Sequence, residues 1–440
     1  MAYTNPFIDI FKISDLRKRI FFVFFILVIY RIGAHIPCPG IDMNQLARFF
    51  AENKGKNTLL DFIDFFAGGA FKKFSLFPLG IMPYITTSII MQLLMLAVPA
   101  IKRISEETGG RRKIQQITRM GAVVVGILQS FALSQYALNV LPASVVTLPS
   151  GLFIFSTILT VTTGIIILMW FGEQITERGL GNGISVIIFA GIAARIPSSC
   201  LQIWQSMQRG DLAAPIVLLY FLIFSVIVGL VIYEQQGQRK IPVNYAKRVV
   251  GRKVYGMQNA YLPFKINPSG VIPIIFASAM ISFPLTLVQM VKVPWVEAIA
   301  RFLKPGGIGY IIFYTVLILF FAYFYTQVTL NPVEIAKNIR ENGGSIPGIQ
   351  SNKVESYLFK ILNRITLPGA LFLAFIAIIP NIVLAVIPGF PAEAAYLLGG
   401  TSLLIMVGVD LDTMSQIEGH LKMHHHDGIV RKGKLRSRNL

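Results

Sequence analysis

Ten stretches of roughly twenty apolar residues run through this chain, and no other feature constrains its fold as much. A hydrocarbon core about 30 Å thick is crossed by about 20 helical residues at 1.5 Å each. The stretches lie near 20–36, 74–97, 117–139, 151–171, 184–201, 213–233, 268–291, 308–331, 365–387 and 396–415. They leave no material for a water-soluble core: 54% of the 440 residues are hydrophobic and 14% charged. Soluble chains carry about 25% charged residues, so the solvent for these side chains is lipid. No small-residue cleavage site follows the first stretch, which reads as a retained helix. Two cysteines, Cys38 and Cys200, exclude a disulfide framework and a zinc site.

Charge placement sets orientation, because Lys and Arg are held on the cytoplasmic side. Alternate connections put 1–19, 98–119, 172–183, 234–267, 332–364 and 416–440 on one side, with 29 Lys and Arg. The other side, 32–73, 139–150, 202–212, 292–307 and 388–395, holds 9. Arg31 and Arg195 fall inside or at the end of spans and complete the 40. Both termini are therefore expected in the cytoplasm. An odd number of spans would scramble the segregation.

A nine-residue pattern occurs twice. Gly80-Ile-Met-Pro-Tyr-Ile85-Thr-Thr-Ser88 aligns with Gly270-Val-Ile-Pro-Ile-Ile275-Phe-Ala-Ser278. The copies open the second and seventh stretches. A displacement of five spans reverses direction in the membrane, so the chain divides into two inverted halves, 1–212 and 213–440. Gly/Pro-marked segments at matching places in such halves point to the working site. Coincidence is the alternative, since Gly and Pro are common in membrane helices.

Several chemistries are missing. Ion-coupled carriers need ionisable groups inside their spans, and most spans here have no Asp or Glu before their ends; Asp410 and Asp412 lie toward the cytoplasmic end of the tenth. The string Gly428-Ile-Val-Arg-Lys-Gly433-Lys434-Leu435 lacks the Ser/Thr of a nucleotide-binding loop. Gly179-Leu-Gly181-Asn-Gly183 lacks dinucleotide spacing and reads as a tight turn between helices. The histidines are His35, His420 and His424 to His426; the last four read as part of a solvated tail rather than a metal site. No cofactor, metal or catalytic residue is expected.

A polytopic chain without coupling charges is most simply a passive pore, and a pore needs a seal. Narrow apolar necks exclude water and ions, and isoleucine is bulky and stiff at χ1. Candidates in the repeated motif and the glycine-flanked fifth span are Ile81, Ile85, Ile184, Ile188 and Ile275. Packing or lipid contact is the competing role for each. The connection after the first span contains an apolar segment, 58–70, too short to cross. It carries Asp61, Phe62, Asp64 and Phe65 and reads as a short helix ended by Gly68-Gly69. An interfacial helix and a re-entrant piece buried in protein are both open to it. The connections 234–267 and 332–364 are long. Arg239, Lys240, Lys247, Arg248, Arg252 and Lys253 in the first suit RNA phosphates or an acidic protein face, with topology signalling as the alternative. A solute carrier would need a polar pair at mid-span, which is missing. A membrane scaffold would need neither the paired motifs nor an apolar neck.

At these residues the chain resembles the SecY family, the channel subunits of the bacterial protein-translocation complex. The resemblance rests on Arg31-Ile-Gly-Ala-His-Ile-Pro-Cys-Pro-Gly-Ile-Asp42, Leu79-Gly-Ile-Met-Pro-Tyr-Ile85, Gly109-Gly-Arg-Arg-Lys113, Trp170-Phe-Gly-Glu-Gln-Ile-Thr-Glu-Arg-Gly179, Gly181-Asn-Gly-Ile-Ser185, Val243-Asn-Tyr-Ala-Lys247 and Gly399-Gly-Thr-Ser-Leu-Leu404. It covers nearly the whole chain. It implies an all-α membrane protein of ten helices in two inverted five-helix halves around an hourglass pore that conducts unfolded secretory polypeptides. It makes 58–70 a plug and adds Ile405 to the pore ring. It implies a lateral gate that releases transmembrane segments into lipid, with polar contacts near Thr86, Gln129 and Asn267. The partners implied are SecE, SecG, the motor ATPase SecA, the ribosome, preproteins with their signal peptides, and membrane lipids, in the bacterial inner membrane. The family often carries arginine in the loop Pro347-Gly-Ile-Gln350-Ser-Asn, where this chain has Gln350. Either a neighbour such as Lys353 substitutes, or motor coupling differs. Asp410 stands where an apolar residue is more usual.

Overall fold

The computed structural model describes residues 13–52, 64, 67–245, 248–250, 253–255, 259–288, 307–387, 390–397 and 399–432. They belong to two compact units, Met1–Ile196 with Gly408–Leu440, and Pro197–Val407.

The first unit contains α1 (Ser14–Gly33), α2 (Met43–Glu52), α3 (Met82–Ala97), α4 (Pro99–Glu106), α5 (Gly110–Val140), α6 (Ser150–Arg178) and α7 (Gly183–Ala193). Helix α3 packs on α5, α5 on α6, and α6 on α7 and α1. An ion pair of 2.5 Å between Arg119 and Glu173 ties α5 to α6. The apolar sequences carry side chains that face outward as readily as inward: Phe21, Phe24 and Phe25 of α1 and Leu152, Phe155 and Leu159 of α6 are exposed. A helix that is apolar all round and half-exposed is one whose surroundings are hydrocarbon. Helix α2 differs, since it is amphipathic and buries only Leu46; Asp42 caps it by accepting from Asn44 N at 2.8 Å.

The second unit contains α8 (Ile196–Gln208), α9 (Ala214–Gln236), β1 (Gln238–Tyr245), β2 (Arg248–Val250), β3 (Lys253–Tyr255), β4 (Asn259–Lys265), α10 (Ile272–Val288), α11 (Ile308–Thr329), α12 (Pro332–Glu341), β5 (Gly344–Ser345), α13 (Val354–Val386), α14 (Ala392–Leu397) and the start of α15 (Gly400–Lys432). Helix α10 packs on α11 and α11 on α13, which repeats the order α3, α5, α6 of the first unit.

Each of the ten expected stretches carries a helix. Among the described residues, six helices are long and apolar enough to cross a membrane by length and composition alone: 110–140, 150–178, 183–208, 214–236, 308–341 and 351–386, with 272–281 a shorter apolar helix. Several start well before the apolar run. Helix α5 begins at Gly110 because Arg111, Arg112 and Lys113 continue the same helix beyond the apolar part.

The long connections 234–267 and 332–364 fold together. Strand β1 pairs antiparallel with β4, Ile241 opposite Leu262, and with β5, Asn244 opposite Ser345. Alternation along β1 sends Ile241 and Val243 inward. They join Phe264, Ala336, Ile339, Ile346, Val354, Leu358 and Ile361 in a small hydrophobic core under the sheet. The sequence reading predicted none of these strands.

Candidate functional site

The two copies of the repeated motif have the same backbone. Gly80 has φ 55° and Gly270 φ 59°, in the left-handed region that a side chain disfavours. In the first copy Gly80 N donates to Phe77 O at 3.0 Å; in the second Gly270 N donates to Asn267 O at 3.4 Å. Both helices open two residues later. Tyr84 N and Ile85 N bond to Ile81 O at 3.1 and 3.2 Å, and Ile274 N and Ile275 N to Val271 O at 3.2 and 3.3 Å. Pro83 and Pro273 occupy the second helical position, where no N–H is needed. The two copies of the sequence pattern therefore share one turn geometry.

Four of the expected neck residues, Ile81, Ile85, Ile184 and Ile188, belong to the first unit; Ile275 and Ile405 belong to the second. All are buried except Ile184, which is half-buried. Asn182 caps the helix that carries Ile184 and Ile188, its Oδ1 accepting from Ile184 N at 3.2 Å. The preceding Gly181 has φ 81°, so 179–183 is the tight turn the sequence predicts.

Two of the three polar residues expected at a gate are engaged locally. Thr86 Oγ1 donates to Met82 O at 3.0 Å within α3. Asn267 is the hub of the second turn: its Nδ2 donates to Gly270 O at 3.0 Å, and Ser269 Oγ donates to its Oδ1 at 2.9 Å. Gln129 is buried in α5, and its Oε1 has no hydrogen-bond partner among the described residues.

The described part of the 58–70 segment is buried against its own unit. Asp61, Phe62 and Phe65 lie outside the described residues. Gly68 and Gly69 have φ 65° and 85°, and Gly69 N donates to Asp64 O at 3.1 Å; the short helix expected before them lies outside the described residues. Asp64 is buried and pairs with buried Arg195 at 3.2 Å. Its other oxygen accepts from Lys72 N at 2.9 Å. Arg31 donates from Nη1 to Gly68 O at 3.2 Å. Nearby, Lys73 has its amine pKa lowered, first by burial and then by Arg31, against the pull of Asp64. The Cys38 thiol is pushed up to about 12 by burial and donates to Ser75 O at 3.3 Å.

The described basic residues expected to dock a partner lie on two separate sheets. Arg239 and Lys240 are exposed at the start of β1. Arg248 and Lys253 lie on the hairpin β2–β3, while Lys247 and Arg252 fall outside the described residues. Gln350 is exposed and precedes a short turn in which Lys353 N donates to Gln350 O at 2.8 Å. Its loop follows β5, so both long connections contribute to one platform. Asp410 is exposed on α15.

Arg31 and Arg195 were the two basic residues that the topology count left over. The signal that singles them out was present in the sequence, because charge retained within apolar spans is costly and serves a purpose.

Comparison with known proteins places this geometry. The SecY family model matches residues 75–414. The protein translocase subunit SecY of Vibrio cholerae is 39% identical over 433 residues, covering 96% of this chain and 96% of the relative. That of Borreliella burgdorferi is 42% identical over 422 residues, covering 94% and 95%. Among solved structures, a protein-conducting channel matches with a TM-score of 0.64 at 21% identity over 92% of each chain. Sec61 of a canine ribosome–channel complex matches at 0.62 and 20% identity, also over 92% of each.

Proposed function

The chain belongs to the SecY family, and from that premise we propose how its residues share the work of a protein-conducting channel. It is a non-enzymatic channel subunit of a protein translocase. Its substrates are unfolded preproteins, and it releases their transmembrane segments sideways into lipid. Ile81, Ile85, Ile184, Ile188, Ile275 and Ile405 form the neck, and 58–70 is the plug. An apolar neck excludes ions because stripping their water without replacement ligands costs several kcal/mol. It grips a passing chain weakly, since dispersion has no direction. Thr86, Gln129 and Asn267 are the polar contacts of the lateral gate. The halves are 1–212 and 213–440.

The sheet platform, with Arg239, Lys240, Lys247, Arg248, Arg252, Lys253 and Gln350, docks the ribosome and SecA. Support comes from the canine relative, which is found in a complex with a ribosome. SecE and SecG complete the complex in the bacterial inner membrane. Both termini lie in the cytoplasm, an orientation that the split of 29 to 9 basic residues supports.

The observation that carries this reading is the matched left-handed turn at Gly80 and Gly270, which sets Ile85 and Ile275 at the same place in their helices. The test is resting conductance of the reconstituted complex. Changing Ile85, Ile188 and Ile275 together to serine is expected to raise ion leak while secreted chains still cross. Background conductance in that triple variant would remove the isoleucines from the seal.

A further inference from the structure

Resting on the neck reading above, we propose that Gln416 is a positioning residue for the neck: it holds the turn from which the helix of Ile184 and Ile188 starts. That turn, 179–183, has three glycines in five residues. Glycine gives up more backbone freedom on folding than any other residue, so the start of α7 is only as definite as the contacts on the turn. Three neighbours of the same unit supply them. Helix α1 holds the first residue, with Arg19 Nη1 donating to Gly179 O at 3.3 Å. Helix α6 holds the last: Gly183 N donates to Thr176 Oγ1 at 2.9 Å, and a Cβ on Gly183 would overlap Gly172 O. The middle belongs to α15. Gly181 N donates to Gln416 Oε1 at 2.8 Å, across 235 positions of sequence. A Cβ on Gly181 would stand 3.0 Å from Thr413 Oγ1, so α15 lies close against the backbone here. Ile417 and Leu421 of α15 extend the contact by packing on the buried cluster of Leu16 and Leu180.

The three contacts are not interchangeable. Those from α1 and α6 fix where the turn begins and ends; the Gln416 bond fixes how its central peptide is rotated. Gly181 is buried with φ 81°, and glycine reaches several other backbone regions at little cost. Among the described residues Gln416 Oε1 is the acceptor of its N–H, and a buried donor left unpaired costs the full desolvation of that group. Without Gln416 the peptide turns to find another acceptor. Asn182 is next in the chain, and its Oδ1 caps α7 through Ile184 N at 3.2 Å. Rotation at Gly181 is thus passed to the cap and to the first turn of α7, where Ile184 stands, with Ile188 one turn further. Gln416 acts on both isoleucines through the turn.

The experiment uses the full chain in its complex, with two readouts: hydrogen exchange of the 179–184 segment, and resting conductance in planar bilayers without substrate. Gln416→Met keeps the length and the helix propensity of the side chain but has no oxygen to accept with. It is expected to speed exchange of the Gly181 amide about tenfold and to raise the resting leak by a similar factor. Gln416→Glu keeps an acceptor at the same reach and is expected to stay near wild type in both readouts. A requirement for bulk alone would not separate the two variants. The serine triple of Ile85, Ile188 and Ile275 tests the neck itself. If that triple does not leak, the neck reading falls and takes the role of Gln416 with it. If the triple leaks while Gln416→Met matches wild type in both readouts, the role of Gln416 alone is overturned. A change in only one readout also overturns it, because the turn and the neck would then move separately. So does a Gln416→Glu variant that leaks as much as Gln416→Met.

Discussion

The turns at Gly80 and Gly270 share a backbone but not a setting. The first follows the Asp64–Ala70 segment, and Phe77 occupies its leading position, stacked on Tyr30 at 5.8 Å between ring centroids. The second follows strand β4 of the platform, and Asn267 occupies that position with its carboxamide bonded into the turn. An aromatic ring makes a contact that depends on burial; a carboxamide makes one that depends on geometry. One device thus answers to the 64–70 segment in one unit and to the β1–β4 sheet in the other. A duplicated motif can keep its conformation while each copy comes under a different neighbour.

The comparison is most easily broken at the glycines. Gly80→Val and Gly270→Val each force a β-branched residue to positive φ, at a cost of about 2–3 kcal/mol. Open space surrounds a Cβ at Gly270, so that cost is backbone strain alone. Both variants should lower the thermal midpoint in detergent, and a neutral result at either would end the equivalence. Next comes Asn267→Leu, expected to lose about 1–2 kcal/mol as its hydrogen bonds go and Ser269 is left without its acceptor. Phe77→Leu should cost less and leave protease sensitivity of the sheet unchanged; equal effects on the sheet would mean the two settings are not separate.

Smaller again is the response of Arg239→Glu with Lys240→Glu. Stability should move within about 0.5 kcal/mol, because both side chains are exposed. Ribosome affinity should fall at low salt and recover its wild-type ratio as salt screens the surface. Affinity that is unchanged at low salt would return these charges to topology signalling. The smallest effect concerns the thiols. Burial holds Cys38 protonated, with its pKa raised to about 12, whereas Cys200 is exposed. The thiolate is the reactive form, so a maleimide at pH 7 to 9 should label Cys200 and spare Cys38. Labelling of Cys38 at pH 8 would show that the packing around Cys38 and Ser75 opens at rest.

The apolar spans, the repeat and the positive φ at Gly68 and Gly69 were legible because each is local: a run, a pattern of nine residues, a pair of adjacent glycines. The positive φ at Gly80 and Gly270 follows from residue type and spacing together. The platform was not legible. Its core joins β1 and β4 to α12 and the start of α13, about a hundred residues further on, and short strands rich in Arg, Lys, Pro and Asn carry a weak β signal. The same holds for Asp64 and Arg195, whose partnership spans 131 positions of sequence. Sequence shows that a charge in a span needs a counterpart; only packing shows which one.

Helix α13 has one further consequence. Its 33 residues extend about 50 Å, well beyond the thickness of the hydrocarbon. Its first turns, Val354 to Ile365, are part of the platform core. A few residues later Gly369 lets it press on the Asn267 turn, where a Cβ would stand 3.1 Å from Ile266 O and 3.6 Å from Asn267 Cα. No flexible linker separates the two ends, so α13 behaves as a rod with two weak joints, Pro368 and Pro380. The joint nearer the platform is Pro368, which has no N–H for the carbonyl of Arg364. A push on the platform is not absorbed in slack chain; it arrives as tilt or as bending at Pro368, directly beside the turn that begins α10.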